Sequence, residues 1–202
     1  MRLISLSVVL FTFFSCNDEN NEDVLTRPLI PAAIGNYWVY VDSIWNDDQL
    51  IEVSFDTVTI IDTFMLDGHI WWEVEGHRPL PFIYAEFAIR NDTIFSIQGS
   101  WTRELSIDYI PPPDTLVAYY SIYEGDLWID RTAIKYPEPI IVGLGSFIEC
   151  GQYITEDDPY YWEEYVYPGI GIIVSKTFRD SNWQWPYTRT RKLELIKYDV
   201  DN

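Results

Sequence analysis

The chain has 202 residues and a formal net charge of −19, from 13 Lys and Arg against 32 Asp and Glu. Such an acidic surface repels phosphate backbones and anionic head groups, so nucleic-acid binding is excluded as an expected function. Hydrophobic residues make up 48% of the chain and aromatic residues 17%, which is enough for one core, and the length suits a single domain.

The first fifteen residues have the three parts of a secretory signal. Arg2 supplies a positive charge, residues 3–14 form an apolar run, and Ser15 is a small residue before a cut. An apolar run of this length is too short to span a bilayer, which takes roughly 20 residues. We therefore predict a cleaved leader over residues 1–15 rather than a transmembrane helix.

The leader ends in Phe13-Phe14-Ser15-Cys16, which resembles the lipobox of bacterial lipoproteins. The resemblance implies that Cys16 carries the acyl chains, palmitate among them, and becomes the mature N-terminus. Two or more acyl chains anchor a protein stably where one does not. The alternative is an ordinary signal peptide with an incidental cysteine. Because Asn17 and not Asp follows the cysteine, the expected location is the cell envelope at the outer membrane, on either leaflet.

Residues 16–27 are polar and acidic and contain little that could be buried. Such a composition predicts a flexible tether. Residues 28–202 then form one domain, and its periodic segments alternate with period two rather than 3.6.

Several segments carry this alternation clearly. Between Leu50 and Thr63, Ile51, Val53 and Phe55 share one face, while Glu52, Ser54 and Asp56 share the other. Further along, Ile70, Trp72 and Val74 face one way and His69, Trp71, Glu73 and Glu75 face the other. Between Ile140 and Ile154, Gly143 and Gly145 are expected to be bulge or bend positions.

Roughly ten or eleven short strands follow from these patterns, with no convincing helix. The predicted fold is all-β, an antiparallel meander curled into an open or half barrel, because strongly twisted sheets of this length curl or split. A two-sheet sandwich is the alternative.

Two turn-plus-tryptophan units recur in the chain, Gly35 with Trp38 and Gly125 with Trp128. We expect both tryptophans to pack in the core, in a sheet with some internal symmetry. The first unit continues to Tyr40.

Near the other end lies a second segment, Tyr-Pro-Gly-Ile-Gly-x-x-Val, which contains Pro168, Gly169 and Gly171. Together with Gly35, Trp38 and Tyr40 it resembles a widespread group of bacterial secreted proteins and lipoproteins. No activity is established for that group, so the resemblance implies structural roles for these residues and no chemistry.

The search for chemistry finds no catalytic or metal-binding pattern. His69, Glu73, Glu75 and His77 lie on one strand face, but at about 3.3 Å per residue the two histidines are too far apart to share a metal ion unless the chain folds back at Gly76. Cys150 has no intramolecular partner once Cys16 is acylated, and its strand-like surroundings predict a buried, inert thiol. We therefore expect no enzyme activity, no cofactor and no metal site.

The nine tryptophans and fifteen tyrosines exceed what the core needs. Aromatic residues on the concave side of a half barrel would bind an apolar ligand or an envelope protein. Exposed rings would instead stack on glycans, and a third interpretation is that the rings only pack the sheet. The tryptophans expected to include exposed ones are Trp71, Trp101, Trp162, Trp183 and Trp185.

Overall fold

A computed structural model describes residues 27–46, 49–76, 86–98, 104–113, 118–124, 127–157, 160–179 and 188–200. These described residues form strands and no helix, and they therefore include no helix of the length and hydrophobicity needed to span a membrane. The strands are β1 (Tyr37–Asn46), β2 (Gln49–Leu66), β3 (His69–Glu75), β4 (Glu86–Arg90), β5 (Thr93–Gln98), β6 (Glu104–Tyr109), β7 (Ala118–Glu124), β8 (Leu127–Lys135), β9 (Ile140–Val142), β10 (Gly145–Phe147), β11 (Gly151–Asp157), β12 (Tyr160–Tyr167), β13 (Gly171–Arg179) and β14 (Thr188–Asp199).

Twelve of these strands form one antiparallel sheet in the order β6-β5-β4-β3-β2-β1-β14-β13-β12-β11-β8-β7. The chain starts in the middle of the sheet, runs outward to β6, passes to the opposite edge at β7 and returns inward to β14, which pairs with β1. No ladder joins the edge strands β6 and β7 within the described residues, although the two approach each other. The predicted all-β open barrel is confirmed, and the two-sheet sandwich is not formed.

The concave face of the sheet is filled by the main core, which the N-terminal segment closes with Leu29 and Ile30. The two motifs singled out in the sequence meet there. The Trp38 indole donates a hydrogen bond to the Ile170 carbonyl at 2.5 Å, and the Tyr40 hydroxyl donates one to the Ile172 carbonyl at 3.0 Å. These contacts join β1 to the turn before β13 and to the start of β13, past the intervening strand β14.

Glycine is required at two turns of this core. Gly35 has φ 95° and its N–H donates to the Ile60 carbonyl at 2.8 Å, a conformation that a side chain would strain. Gly171 has φ 105°, and a Cβ there would lie 3.5 Å from Ile30 Cγ1 and 3.7 Å from Trp38 Nε1. Beside it, the Gly169 N–H donates to the Pro28 carbonyl at 2.7 Å, which fastens the start of the domain to the turn after Pro168.

A second, smaller core lies on the convex face under the β9–β10 hairpin. Val142, Cys150, Tyr165, Ile173 and Val174 are buried in it. Of the two alternatives predicted for Gly143 and Gly145, a bulge or a bend, the structure shows a bend, because residues 143–144 form the turn of this hairpin. The strands of the hairpin pair with each other and not with the large sheet. The burial predicted for Cys150 is confirmed, and this burial raises the pKa of its thiol to about 12.

In the first half of β2 the apolar face of the strand points outward, away from the core. Ile51, Val53 and Phe55 point outward and are more than half exposed, Phe55 by 69%. The opposite face, with Ser54 and Asp56, lies on the concave side beside Asp42 and Tyr40 of β1. Sheets ordinarily bury their apolar face; here the inside of the barrel is polar at this end, so the apolar residues form a ridge outside.

Candidate functional site

The apolar half of the concave face leaves almost no free space. Its cavity measures about 20 Å³, room for about one water molecule; its lining includes Ile30, Trp38, Tyr40, Val58, Val74, Phe87 and Ile172. The residues that alternate on β3 contribute as predicted, because Trp72 and Val74 pack against this core and Trp72 stacks on Phe87 at 5.6 Å. No acyl chain fits there unless the core opens.

A buried ion pair borders this core, in contact with the core residue Tyr109. The side chains of Arg131 on β8 and Glu164 on β12 are both 0% exposed and in direct contact. The Tyr109 hydroxyl, from edge strand β6, donates to Glu164 Oε2 at 3.0 Å, and the Arg131 guanidinium packs 4.3 Å from the Tyr109 ring. Burial raises the pKa of the Glu164 carboxyl, although Arg131 and Tyr109 favour its charged form.

Above the ion pair the concave face opens into a groove of about 420 Å³, a volume within the range of small-molecule sites. Four neighbouring strands supply its lining, because antiparallel partners share a face: Tyr160 pairs with Arg179, Trp162 with Thr177, and Thr177 with Arg191. The lining residues are Ile44, Tyr160, Trp162, Ser175, Thr177, Arg179, Thr190, Arg191 and Leu193. We call this space the concave groove.

The aromatic part of the concave groove is a stacked pair. The Tyr160 and Trp162 rings lie 5.6 Å apart at 25°, since residues two apart on β12 point to the same side. Tyr160 is 36% exposed and Trp162 half-buried. The Arg179 guanidinium lies 5.8 Å from the centre of the Tyr160 ring. The groove therefore presents flat aromatic surface next to a cation.

The polar part of the groove is held by a second ion pair. Arg191 donates from Nε to Asp42 Oδ1 at 2.9 Å and from Nη2 to Asp42 Oδ2 at 2.6 Å. Asp42 is buried, and its hydrogen bonds raise the pKa of Arg191, with Asp56 adding to the effect. A bidentate pair of this kind fixes the orientation of the guanidinium. The Arg191 side chain is therefore a fixed part of the groove lining.

Other residues named from the sequence do not contribute to this groove. His69, Glu73 and Glu75 are exposed on β3, and nowhere in the described ranges do three His, Cys, Asp or Glu side chains gather as metal ligands do. Trp71 is fully buried on the convex side, near Phe64 and Arg90.

Some predicted positions lie outside the described residues: Cys16, His77, Trp101, Gly125, Trp183 and Trp185. The structure places Trp128 on β8, where it pairs with Tyr123. The proposed echo of the Gly35–Trp38 unit therefore stays a prediction.

The residues that sequence analysis missed are Tyr160, Arg179 and Arg191. A signal for the two arginines was available in the charge pattern. Strands β13 and β14 hold six of the chain's 13 basic residues, Lys176, Arg179, Arg189, Arg191, Lys192 and Lys197, against two of its 32 acidic ones, Glu194 and Asp199.

No family model and no curated protein matches the sequence. Two solved structures are similar to the chain over 86% of its length and 99% of their own: a predicted lipoprotein from Parabacteroides distasonis, with 13% identity and a TM-score of 0.49, and a predicted exported protein with a YmcC-like fold from Bacteroides fragilis, with 10% identity and a TM-score of 0.44. With identities and TM-scores this low, neither likeness transfers a function.

Proposed function

We propose that this chain is a lipoprotein of the cell envelope, anchored at Cys16 in the outer membrane, whose β-domain binds a glycan without catalysis. The observation that carries the proposal is the concave groove, which is open, about 420 Å³ in volume and lined by the stacked Tyr160–Trp162 pair. The apolar cavity behind it holds only about 20 Å³. The free space therefore lies where the lining is both aromatic and polar.

A sugar suits such a lining better than an acyl chain does. One face of a pyranose ring carries C–H groups, which pack against the negative face of an aromatic ring. The hydroxyl groups at the ring edge need hydrogen-bonding partners, and Thr177, Thr190 and Arg191 supply polar groups along the groove. An acyl chain would gain about 0.8 kcal/mol per buried methylene but would leave those polar groups without water.

Anchoring agrees with a binding role. The composition of residues 16–27 predicts an acidic tether between the proposed lipidated cysteine and the β-domain. Such a tether keeps the domain close to the membrane but free to turn its groove toward a ligand. The net charge keeps the domain itself off an anionic lipid surface, so attachment comes from the acyl chains.

A second candidate function is docking of an envelope protein, favoured by the exposed apolar ridge of Ile51, Val53 and Phe55 on β2. Exposed apolar patches of this kind often mark interaction sites. In-cell cross-linking from position 53 would identify a partner, and Phe55→Ser would abolish the cross-link without affecting glycan binding.

The glycan proposal is tested by titrating the full-length lipoprotein, in a non-ionic detergent, with a panel of tetrasaccharides while tryptophan emission is followed. We expect saturable binding that Trp162→Ala weakens at least tenfold and Trp45→Ala leaves unchanged. The competing apolar ligand is tested with a dibrominated fatty acid, whose bromines quench tryptophan only at contact. Quenching by this fatty acid with no response to any saccharide would contradict the proposal.

A further inference from the structure

We infer that the ligand of the concave groove is an acidic saccharide, whose carboxylate or sulfate is bound by Arg179 while its ring lies on Tyr160 and Trp162. The inference rests on the proposed glycan-binding function and specifies the class of glycan. The charge of the chain is distributed far from uniformly along its strands.

The chain as a whole repels anions, but one wall of the groove, formed by β13 and β14, carries two basic side chains, Arg179 and Arg191. Strands β13 and β14 carry six of the 13 basic residues and two of the 32 acidic ones. Lys176, Lys192 and Lys197 lie on the convex face of these strands, so Arg179 and Arg191 are the described cations of this groove wall. In a protein of formal charge −19 a local excess of positive charge makes this wall less repulsive to anions than the rest of the surface. An anionic ligand repelled elsewhere would therefore be least repelled at this wall.

Three of the six cations on the two strands form ion pairs with described carboxylates. Lys176 pairs with Glu163 at 2.9 Å, Lys192 is in contact with Glu194, and Arg191 forms a bidentate pair with Asp42. Each of these charges is neutralised by a contact of the fold itself. These three cations therefore serve contacts within the fold.

Arg179 differs from them in both position and pairing. It lines the groove and is exposed, and no described carboxylate lies within 4.0 Å of its side-chain nitrogens. Its recorded contact is with the face of Tyr160, at 5.8 Å. That contact holds the guanidinium at the rim while leaving its N–H groups for a ligand.

The geometry suits one chemical class. A guanidinium binds a carboxylate or a sulfate through two parallel hydrogen bonds, which a neutral sugar hydroxyl cannot match. A uronic acid or a sulfated sugar carries such a group directly on the ring, within reach of a cation that touches the stacking surface. A ring on Tyr160 and Trp162 would thus place its acidic substituent beside Arg179.

The test compares matched ligands and matched variants of the full-length lipoprotein in non-ionic detergent. The ligands are a panel of uronate and sulfated tetrasaccharides together with their methyl-esterified or desulfated counterparts, which have the same rings without the charge. The variants are Arg179→Gln and Lys197→Gln. Lys197 lies on the same strand pair and has no described carboxylate within 4.0 Å, but it is on the convex face beside Tyr37.

We expect at least one acidic tetrasaccharide to bind at least tenfold more tightly than its neutral counterpart. Arg179→Gln should remove this preference and leave the affinity for the neutral form unchanged, whereas Lys197→Gln should preserve it. Far-UV circular dichroism and a melting curve would establish that both variants fold.

Three results would overturn the inference. If neutral and acidic forms bind equally, the groove binds a glycan but does not recognise charge, and the proposed function survives. If both variants weaken acidic binding equally, the effect is one of total charge rather than of Arg179. If no saccharide binds at all, the proposed function itself is wrong.

Discussion

Replacing Arg131 by Met should destabilise the domain more than any surface change, because it leaves the buried Glu164 carboxyl without its cation. Both side chains are 0% exposed. Removing one member of a buried pair costs about 3–5 kcal/mol, a large share of the roughly 5–15 kcal/mol that stabilises a domain. The lost packing of the guanidinium on Tyr109, at 4.3 Å, acts in the same direction.

The cost should depend on pH, with a definite sign. Burial already raises the pKa of Glu164 above its ordinary value, and Arg131 opposes that rise, so the variant raises it further. A carboxyl whose pKa is higher in the folded state binds its proton more tightly there. Stability is therefore lost as pH rises from the unfolded pKa to the folded one. The variant should be less impaired at pH 5 than at pH 8.

The measurement is urea unfolding of residues 17–202, followed by tryptophan emission at both pH values. The control is Arg131→Met combined with Glu164→Gln, which removes the stranded charge but keeps an acceptor for the Tyr109 hydroxyl. This double variant should recover about half of the loss and lose the added pH dependence. A single variant that costs less than about 1 kcal/mol, equally at pH 5 and pH 8, would refute the reasoning.

Three further predictions concern single residues. Cys16→Ser should prevent membrane partitioning and uptake of labelled fatty acid; equal partitioning of both forms would contradict the lipid anchor. Cys150, buried and with its thiol pKa raised to about 12, should react slowly with a thiol reagent in the native protein and rapidly in urea, and fast native labelling would show an exposed thiol. Trp38→Ala should cost about 3–5 kcal/mol, because the side chain is buried and donates to Ile170, whereas a loss under about 1 kcal/mol would show that the motif is not structural.

The fold class was predictable because it depends on local alternation. Trp72 and Val74 point to the concave side as their spacing indicates. The turn before β1 needs a residue with positive φ, and Gly35 supplies it. The contact of Trp38 with Ile170 was not predictable, since it depends on the pairing of β1 with β14, which are far apart in sequence. Alternation defines two faces of a strand but not its neighbours.

The candidate site also shows what alternation of residues cannot predict. On β2 the apolar residues Ile51, Val53 and Phe55 lie outside because the groove end of the barrel is polar. Alternation alone cannot show which face is inside when the interior itself changes from apolar to polar along one strand. Glu163 and Glu164 illustrate a related point, because neighbours in sequence point to opposite sides: Glu163 bonds Lys176, and Glu164 bonds Arg131.

The pairing of the first strand with the last imposes an order on folding. β1 has β2 on one side, but its other edge stays open until β14 has been made and has arrived. Contacts across so much of the chain form slowly, because the intervening loop must close first. Because a chain is synthesised from its N-terminus, β1 is made first and waits for its partner. A chain that stops short of β14 keeps an unpaired edge that can aggregate.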